Sequence, residues 1–143
     1  MAQMPQASDT VPRYAIHVDP TDCDVLGHVN HARYLVFFER ARWAVVREHF
    51  PDARLERGAQ WAVVRHVDIS YETEAVPGDD LVIRSGMERI GKTSFAVRQE
   101  ARTLSGTLVC AAVVTLVTIG GGKPVPVPDS WRDLFPRWSE ESL

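Results

Sequence analysis

One segment of this chain has the periodicity of a helix, and it limits the folds that the remainder can adopt. Within residues 34–50, four apolar residues recur at helical spacing: Tyr34, Phe38, Ala41 and Val45. Other apolar residues widen this stripe: Leu35, Phe37, Trp43, Ala44 and Val46. So much apolar surface predicts a helix that is covered on most of its sides, and Pro51 is expected to end it.

The chain on either side of this helix alternates between apolar and polar residues, as half-buried strands do. One such segment precedes the helix, and four follow it: residues 14–18, 67–71, 81–88, 95–100 and 108–119. The last is apolar at nearly every position, which predicts a central strand covered on both faces. One strand, one helix and four strands in meander order predict an α+β fold. We expect a curled antiparallel five-stranded sheet that wraps around one long central helix.

Length and composition favour a single domain without membrane or nucleic-acid partners. The 143 residues are 45% hydrophobic and 24% charged, with a net charge of −3. Residues 1–12 are predicted to be a disordered-like N-terminal tail, and residues 13–143 a single domain. No apolar run is long enough to span a bilayer, and the two distant cysteines fit a reducing compartment. These features predict a cytoplasmic protein. The open edges of a single sheet predict pairing with a second copy.

A polar turn directly precedes the helix, and its residues are those that acyl chemistry uses. The turn contains two carboxylates, Asp22 and Asp24, then Gly27 and two histidines, His28 and His31, with the candidate helix N-cap Asn30 between the histidines. The first N–H groups of a helix are unpaired and carry partial positive charge, so they can stabilise a carbonyl oxygen that becomes anionic. A carboxylate beside them can serve as nucleophile or general base. This turn is therefore the predicted site.

Other interpretations of the same residues remain open at this point. Asp22 and Asp24 could simply cap a turn, where aspartate is common. The histidines beside Cys23 could suggest zinc, but the chain has neither an HExxH motif nor paired cysteines, so no metal is expected. Glu39 is an alternative catalytic carboxylate, although Arg42 three residues later favours an ion pair.

Two linked motifs resemble those of hotdog-fold acyl-CoA thioesterases of the 4-hydroxybenzoyl-CoA thioesterase-like family. They are Asp22-Cys-Asp24-x-x-Gly27-His-Val-Asn-His31-Ala-x-Tyr34-Leu35 and Phe38-Glu39-x-Ala41-Arg42. The order of strands and turns extends the similarity over about residues 13–119. The resemblance implies a hotdog fold and hydrolysis of an acyl-CoA to the free acid and CoA. It implies no cofactor, because coenzyme A is part of the substrate.

Residue by residue, the resemblance implies the following roles. Asp24 matches the family's catalytic aspartate. His31 matches a position that supplies a backbone N–H to the thioester carbonyl, and its side chain is an optional base. Asn30 and His31 together mark the helix N-terminus that forms the oxyanion site. The turn from Arg89 to Ser94 matches a CoA-binding segment, with four candidate contacts: Arg89, Lys92, Thr93 and Ser94.

The resemblance also bears on substrate and assembly. The Val29-Asn30-His31 sequence is closer to the fatty acyl-CoA branch, so we expect an aliphatic acyl group. A homodimer or homotetramer is expected. The alternative functions are a non-catalytic hotdog module that binds acyl-CoA or acyl carrier protein, and a hotdog hydratase or dehydratase. The Asp24-x-x-Gly27-His-Val-Asn30 motif argues against the second of these.

Overall fold

The computed structural model describes residues 11–50 and 60–140, which form one antiparallel sheet, two α-helices and a short 3₁₀ helix at Pro20–Asp22. The elements follow the chain as β1 (Arg13–His17), α1 (Arg33–His49), β2 (Trp61–Tyr71), β3 (Asp80–Ile90), β4 (Ser94–Thr103), β5 (Leu108–Gly120), β6 (Lys123–Pro124) and α2 (Asp129–Arg132). The α+β class is as predicted. No helix in the described part is long and apolar enough to cross a membrane.

The sheet differs from the prediction in strand number and strand order. It has six strands in the order β1-β3-β4-β5-β2, with the two-residue β6 paired to β5. Only β3, β4 and β5 form a meander, because β2 pairs with β5 at the far edge. The turn at residues 76–79 is real, but it lies beside β1, where the Gly78 N–H donates to the Val18 carbonyl at 2.8 Å. A turn signature shows where the chain reverses and does not show which strand the next one joins.

The prediction of a central, covered β5 is confirmed. This strand lies between β4 and β2, and its residues alternate between buried and half-buried along almost its whole length. Both faces of the strand are therefore covered, which explains why its sequence is apolar at nearly every position.

Helix α1 packs one face against the curled sheet and leaves another face open. Its predicted stripe is buried, together with Phe37. Leu35 and Trp43, in contrast, are 43% and 39% exposed. The prediction of a helix covered on most sides is therefore wrong for the single chain, because the sheet curls around only one side of it. The helix ends at His49, whereas Pro51 lies outside the described residues.

Both ends of the described chain pack against the sheet. Val11 is buried, and the Pro12 carbonyl accepts a hydrogen bond from the Ser85 N–H, although both residues fall within the predicted N-terminal tail. Residues 1–10 and 141–143 lie outside the described residues. At the other end, the Trp138 N–H donates to the Met87 carbonyl at 2.9 Å, and two guanidinium groups lie 4.7 and 4.8 Å from the Trp138 ring centre: Arg84 and Arg98.

Candidate active site

A tight loop after β1 returns the chain to the start of α1, as the motif predicts. The Asp24 N–H donates to the His28 carbonyl at 3.1 Å, and the Gly27 N–H donates to the Asp24 carbonyl at 3.0 Å. Gly27 adopts a φ of +85°, which residues with a side chain rarely do. A bridge between Cys23 and Val29 closes the loop. The glycine is therefore what brings Asp24 back beside the helix.

The Asp24 carboxylate is half-buried and held by two donors of the same loop. One oxygen, Oδ1, accepts a hydrogen bond from the Leu26 N–H at 3.0 Å, and Oδ2 accepts one from Asn30 Nδ2 at 3.3 Å. Within the described residues no cationic group lies within ion-pair distance of this carboxylate. Since each carboxylate oxygen can accept more than one hydrogen bond, Asp24 is oriented and still has free acceptor capacity.

Asp22 is tied into the structure more firmly than Asp24. Its Oδ2 accepts a hydrogen bond from the Asp19 N–H at 2.9 Å, and its Oδ1 lies 3.3 Å from Arg33 Nε. The carboxylate therefore joins the turn after β1 to the first residue of α1. This geometry gives Asp22 a structural role.

The helix begins two residues later than the predicted N-cap implies. Helix α1 starts at Arg33, with Ala32 at the cap position. Asn30 instead caps the turn that precedes the helix. Its Oδ1 accepts a hydrogen bond from the Ala32 N–H, and its carbonyl accepts one from the Arg33 N–H, both at 2.9 Å. An asparagine that bonds the backbone two residues ahead forms a turn of its own, and this turn was mistaken for the helix cap.

His31 lies exposed on that turn, and Tyr71 fixes its backbone. The Tyr71 hydroxyl, at the end of β2, donates to the His31 carbonyl at 2.9 Å. The two rings meet edge to face, with their centres 6.3 Å apart. The His31 N–H has no acceptor, and the imidazole no hydrogen bond to Asp24, among the described residues. Sequence reasoning missed Tyr71, because an aromatic residue at a strand end carries no sign of its partner.

Cys23 is a second candidate nucleophile in this loop, but its surroundings favour the neutral thiol. Burial raises the pKa of Cys23, and the neighbouring carboxylates Asp22 and Asp24 raise it further. Because the thiolate is the reactive form, this shift reduces the reactivity of Cys23. Among the described residues, no group of three or more His, Cys, Asp or Glu side chains is arranged to hold a metal ion.

The predicted CoA-binding turn is far from this loop within one chain. The predicted turn at residues 89–94 contains the end of β3, the three residues 91–93 that join the strands, and the first residue of β4. The Gly91 N–H donates to the Ser94 carbonyl at 2.7 Å. The Asp24 loop lies near the opposite end of β3, where His17 of β1 bonds Asp80. Because β3 has eleven residues, the two ends are about 30 Å apart along the strand. A single chain therefore brings together Asp24, Asn30 and His31 but not the turn.

The residues of that turn are partly engaged with the protein itself. Arg89 Nη2 donates to Thr115 Oγ1 at 3.1 Å. The backbone carbonyls of Lys92 and Thr93 accept hydrogen bonds from Val127 and Thr118. The Lys92 side chain is exposed and forms no ion pair within the described part of the chain. Lys92 is therefore the residue of this turn whose charge is most accessible to a ligand.

The predicted ion pair between Glu39 and Arg42 does not form. Glu39 is exposed and belongs to no ion pair among the described residues. Arg42 Nη1 instead donates to Oε1 of the buried Gln99 at 3.0 Å. The guanidinium turns toward the sheet because a buried amide oxygen needs a donor, whereas an exposed carboxylate is satisfied by water.

Comparison with known proteins identifies the family of the chain. Residues 18–135 match the family described as the Thioesterase-like superfamily. The acyl-CoA thioester hydrolase YbgC of Escherichia coli O6:H1 is 31% identical over 118 residues, which are 82% of this chain and 88% of YbgC. The long-chain acyl-CoA thioesterase FadM of Escherichia coli strain K12 is 33% identical over 97 residues, which are 67% of this chain and 74% of FadM.

A solved structure extends the comparison to the fold. Slr0204, a 1,4-dihydroxy-2-naphthoyl-CoA thioesterase from Synechocystis, superimposes with a TM-score of 0.77 at 21% sequence identity. The match covers 85% of this chain and 93% of Slr0204. The curled sheet with one long helix is therefore the hotdog arrangement of thioesterases, with six strands here in place of the five expected.

Proposed function

The chain belongs to the thioesterase-like superfamily and is a thioester hydrolase, and from this premise we propose that it hydrolyses acyl-CoA to the free acid and CoA. Asp24 is the general base or nucleophile, and the His31 N–H is the oxyanion donor. The observation that carries this proposal is the position of the Asp24 carboxylate, which the Asn30 side chain holds at 3.3 Å beside the start of α1. No cofactor takes part, because coenzyme A is a portion of the substrate.

The reaction follows from two groups on one turn. With Asp24 as base, a water oxygen adds to the thioester carbon while its proton passes to the carboxylate. The carbonyl oxygen becomes anionic and accepts a hydrogen bond from the His31 N–H, close to the positive end of α1. The C–S bond then breaks, and the sulfur of CoA takes up the proton. With Asp24 as nucleophile, the same donor stabilises formation and hydrolysis of an acyl-enzyme anhydride.

The surrounding residues fix the positions of the Asp24 carboxylate and the His31 backbone. Asn30 donates to Asp24 through Nδ2 and accepts from the Ala32 N–H through Oδ1, so one side chain links the carboxylate to the turn. Tyr71 holds the His31 carbonyl from the opposite side. A catalytic constellation needs this kind of support, because small displacements of the reacting groups reduce the rate strongly.

We also propose an aliphatic acyl group. The support is the Val29-Asn30-His31 sequence together with the similarity to FadM, which is described as a long-chain acyl-CoA thioesterase. The similarity to Slr0204 does not oppose this, since at 21% identity it reports the fold and not the substrate.

A homodimer completes this proposal. Among the described residues, β2 pairs only with β5 and lies at the edge of the sheet. Val63 and Val64 on this edge are 47% and 48% exposed. Two copies related by a twofold axis across this edge pair their β2 strands antiparallel. Tyr71 lies at the end of β2, beside the Asp24 loop, whereas the CoA-binding turn lies level with the beginning of β2, because Ser94 and Val63 both pair with Val117.

Antiparallel pairing therefore carries the turn of one protomer toward the Asp24 loop of its partner. This arrangement removes the separation of about 30 Å that keeps Arg89, Lys92, Thr93 and Ser94 from the loop within one chain. The minimal active species is then a dimer, and a tetramer of two such dimers is compatible with it. Light scattering that finds a stable and active monomer would contradict this part of the proposal.

The decisive experiment is a thiol-release assay over straight-chain acyl-CoAs of increasing length and one aromatic acyl-CoA. We expect hydrolysis of the aliphatic series that exceeds that of the aromatic substrate, and its loss in Asp24→Asn. A higher melting temperature with acyl-CoA, without thiol release, would identify the alternative non-catalytic binding module. Faster hydrolysis of the aromatic substrate would retain the enzyme and overturn the aliphatic assignment.

A further inference from the structure

The side of helix α1 that points away from the sheet carries an exposed tryptophan between two exposed charges. Trp43 lies about half a turn from the buried Ala41 and Val45, and it is 39% exposed. Glu39 lies about one turn before Trp43 and Arg47 about one turn after it, and both are exposed. We call these three residues the outer line of α1. Tryptophan is enriched at the centres of protein–protein interfaces.

The two charges of the outer line have no partner of opposite charge within the described part of their own chain. Neither Glu39 nor Arg47 belongs to an ion pair there. They are eight residues apart, which is about 12 Å along the helix axis, and Trp43 occupies the turn between them. Each charge is therefore available to an opposite charge on another molecule.

The sequence of this face is self-complementary about Trp43. A twofold axis beside Trp43 that sets two helices antiparallel brings together residues that are equally distant from position 43 in opposite directions. Glu39 and Arg47 are each four residues away, so each meets its opposite charge in the second copy. Val36 and Phe50 are each seven residues away, and both are apolar and half-buried. A second copy of the chain therefore supplies a matching residue at each of these positions.

Hollows on both sides of Trp43 permit two such faces to interlock. On the β1 side, a cleft of about 470 Å³ lies between α1 and Tyr14, and the described residues that line it include none from β2. On the β2 side, an apolar groove around Arg42 reaches Trp61 at the start of β2. Projecting side chains beside hollows are what packed helices use, since the ridges of one helix fit the grooves of the other.

We propose that the outer line is a contact between copies of this chain, in which α1 of one copy lies antiparallel to α1 of another and both are centred on Trp43. Glu39 of each copy pairs with the partner's Arg47, and the two Trp43 rings pack at the centre. Opposite charges at equal distances from an aromatic centre favour a second copy over an unrelated protein, because one sequence supplies both halves.

This contact goes beyond the proposed function, which needs only the pairing of β2 strands. The outer line points away from the sheet, whereas β2 lies at the edge of the sheet. Both contacts can therefore form at once, and together they give a tetramer. The tetramer rests on the dimer of the proposed function, but the contact between α1 helices does not.

Charge reversal tests the contact, with size-exclusion chromatography and light scattering as the measurement. We expect a tetramer for the wild type. Glu39→Arg sets two arginines face to face, and Arg47→Glu sets two glutamates face to face, so each variant should stop at the dimer. The tetramer dissociation constant should increase about 100-fold or more, because like charges then meet twice in each contact.

Two further samples separate pairing from general damage. The double variant Glu39→Arg with Arg47→Glu exchanges the two charges, and it should recover the tetramer. An equimolar mixture of the two single variants should also recover it, because each variant supplies the charge that the other lacks. Glu48→Arg is the matched control, since it reverses an exposed charge of the same helix outside the outer line and should leave the tetramer intact. A thermal melt verifies that each variant is folded.

Three results would overturn the inference. They are a wild-type dimer that none of these changes alters, which would leave this face to a different partner, a tetramer that survives both single reversals, and a loss of the tetramer that neither the double variant nor the mixture recovers. Failure of the proposed dimer gives a different result. A wild-type dimer that becomes a monomer in both single variants would retain the contact between α1 helices and remove the pairing of β2 strands.

Discussion

The two ends of helix α1 differ in the interactions that surround them: hydrogen bonds dominate at one end and apolar contacts at the other. At its N-terminal end, hydrogen bonds hold a short polar loop in place. The side chains of Asp24 and Asn30 bond within this loop, and the Tyr71 hydroxyl at the end of β2 bonds the His31 carbonyl. At its C-terminal half, bulky apolar side chains enclose a groove, and the hydrogen bond from Arg42 to Gln99 links the helix to the sheet.

The difference indicates where each end contributes to function. Hydrogen bonds are directional and fail when one atom is replaced, so a polar constellation is suited to stabilising a transition state. Apolar contacts depend on area and volume and tolerate changes in shape, so the apolar end is suited to contact with a second copy. Changes at the first end should therefore alter kcat, and changes at the second should alter assembly.

The largest effect is expected for Asp24→Asn. This change keeps the size of the side chain but removes the base, and we expect kcat to fall about 10²- to 10⁴-fold with little change in KM. Asp22→Asn is the control and should cost much less, because Asp22 is engaged with Asp19 and Arg33. Steady-state thiol release measures both. Normal turnover by Asp24→Asn with an inactive Glu39→Gln would assign catalysis to the helix carboxylate instead.

Two substitutions of His31 separate the contribution of its backbone N–H to catalysis from that of its side chain. His31→Pro removes the N–H while proline remains tolerated before a helix, and we expect a loss of about 10²- to 10³-fold in kcat, as for other oxyanion donors. His31→Ala keeps the N–H and should cost about tenfold or less. Comparable losses in the two folded variants would show that the imidazole, and not the backbone, carries the catalytic role.

Tyr71→Phe should have a smaller effect on the same end of the helix. It removes one hydrogen bond to the His31 carbonyl, which is worth about 1 kcal/mol, so kcat should fall about 2- to 10-fold at unchanged KM. Tyr14→Phe on β1 is the matched control, as no partner of the Tyr14 hydroxyl occurs in the described part of the chain. A change in KM alone would mean that Tyr71 contacts substrate and does not position His31.

The smallest effect is expected at the CoA-binding turn. Lys92→Ala should raise KM about two- to fivefold and leave kcat nearly intact, since an exposed contact persists from ground state to transition state. The effect should shrink as salt increases. Lys123→Ala, which removes the other lysine of the chain, should leave KM unchanged. An unchanged KM for Lys92→Ala at low salt would place the CoA phosphates elsewhere.

Local sequence patterns correctly predicted the structural features that depend on residues close together in the chain. The stripe of Tyr34, Phe38, Ala41 and Val45 is buried as expected, and the loop at Gly27 returns Asp24 to the helix. Both follow from periodicity and backbone freedom, which short segments carry in themselves. The start of α1 was misplaced by two residues, because Asn30 can cap a turn as readily as a helix.

Features that depend on distant residues could not be predicted in this way. Nothing local shows that β2 joins β5 and not β3, that the Tyr71 hydroxyl reaches the His31 carbonyl, or that Arg42 prefers Gln99 to Glu39. In each case the partner is between 40 and 57 residues away, or the choice lies between two whole strands. The sequence contains several residues that could accept a hydrogen bond from the same donor, and several strands that could pair with the same sheet edge, so it does not show which one does.

The sequence by itself determined the fold class, the buried face of α1 and the identity of the polar loop, because these depend on periodicity and on motifs within a few residues. The tertiary structure alone decided the strand order, the separation of the CoA-binding turn from Asp24 within one chain, and the groove around Arg42. These features arise when the sheet curls around the helix and brings remote segments together. The chain specifies that packing only through the sum of many contacts, and no single pattern encodes it.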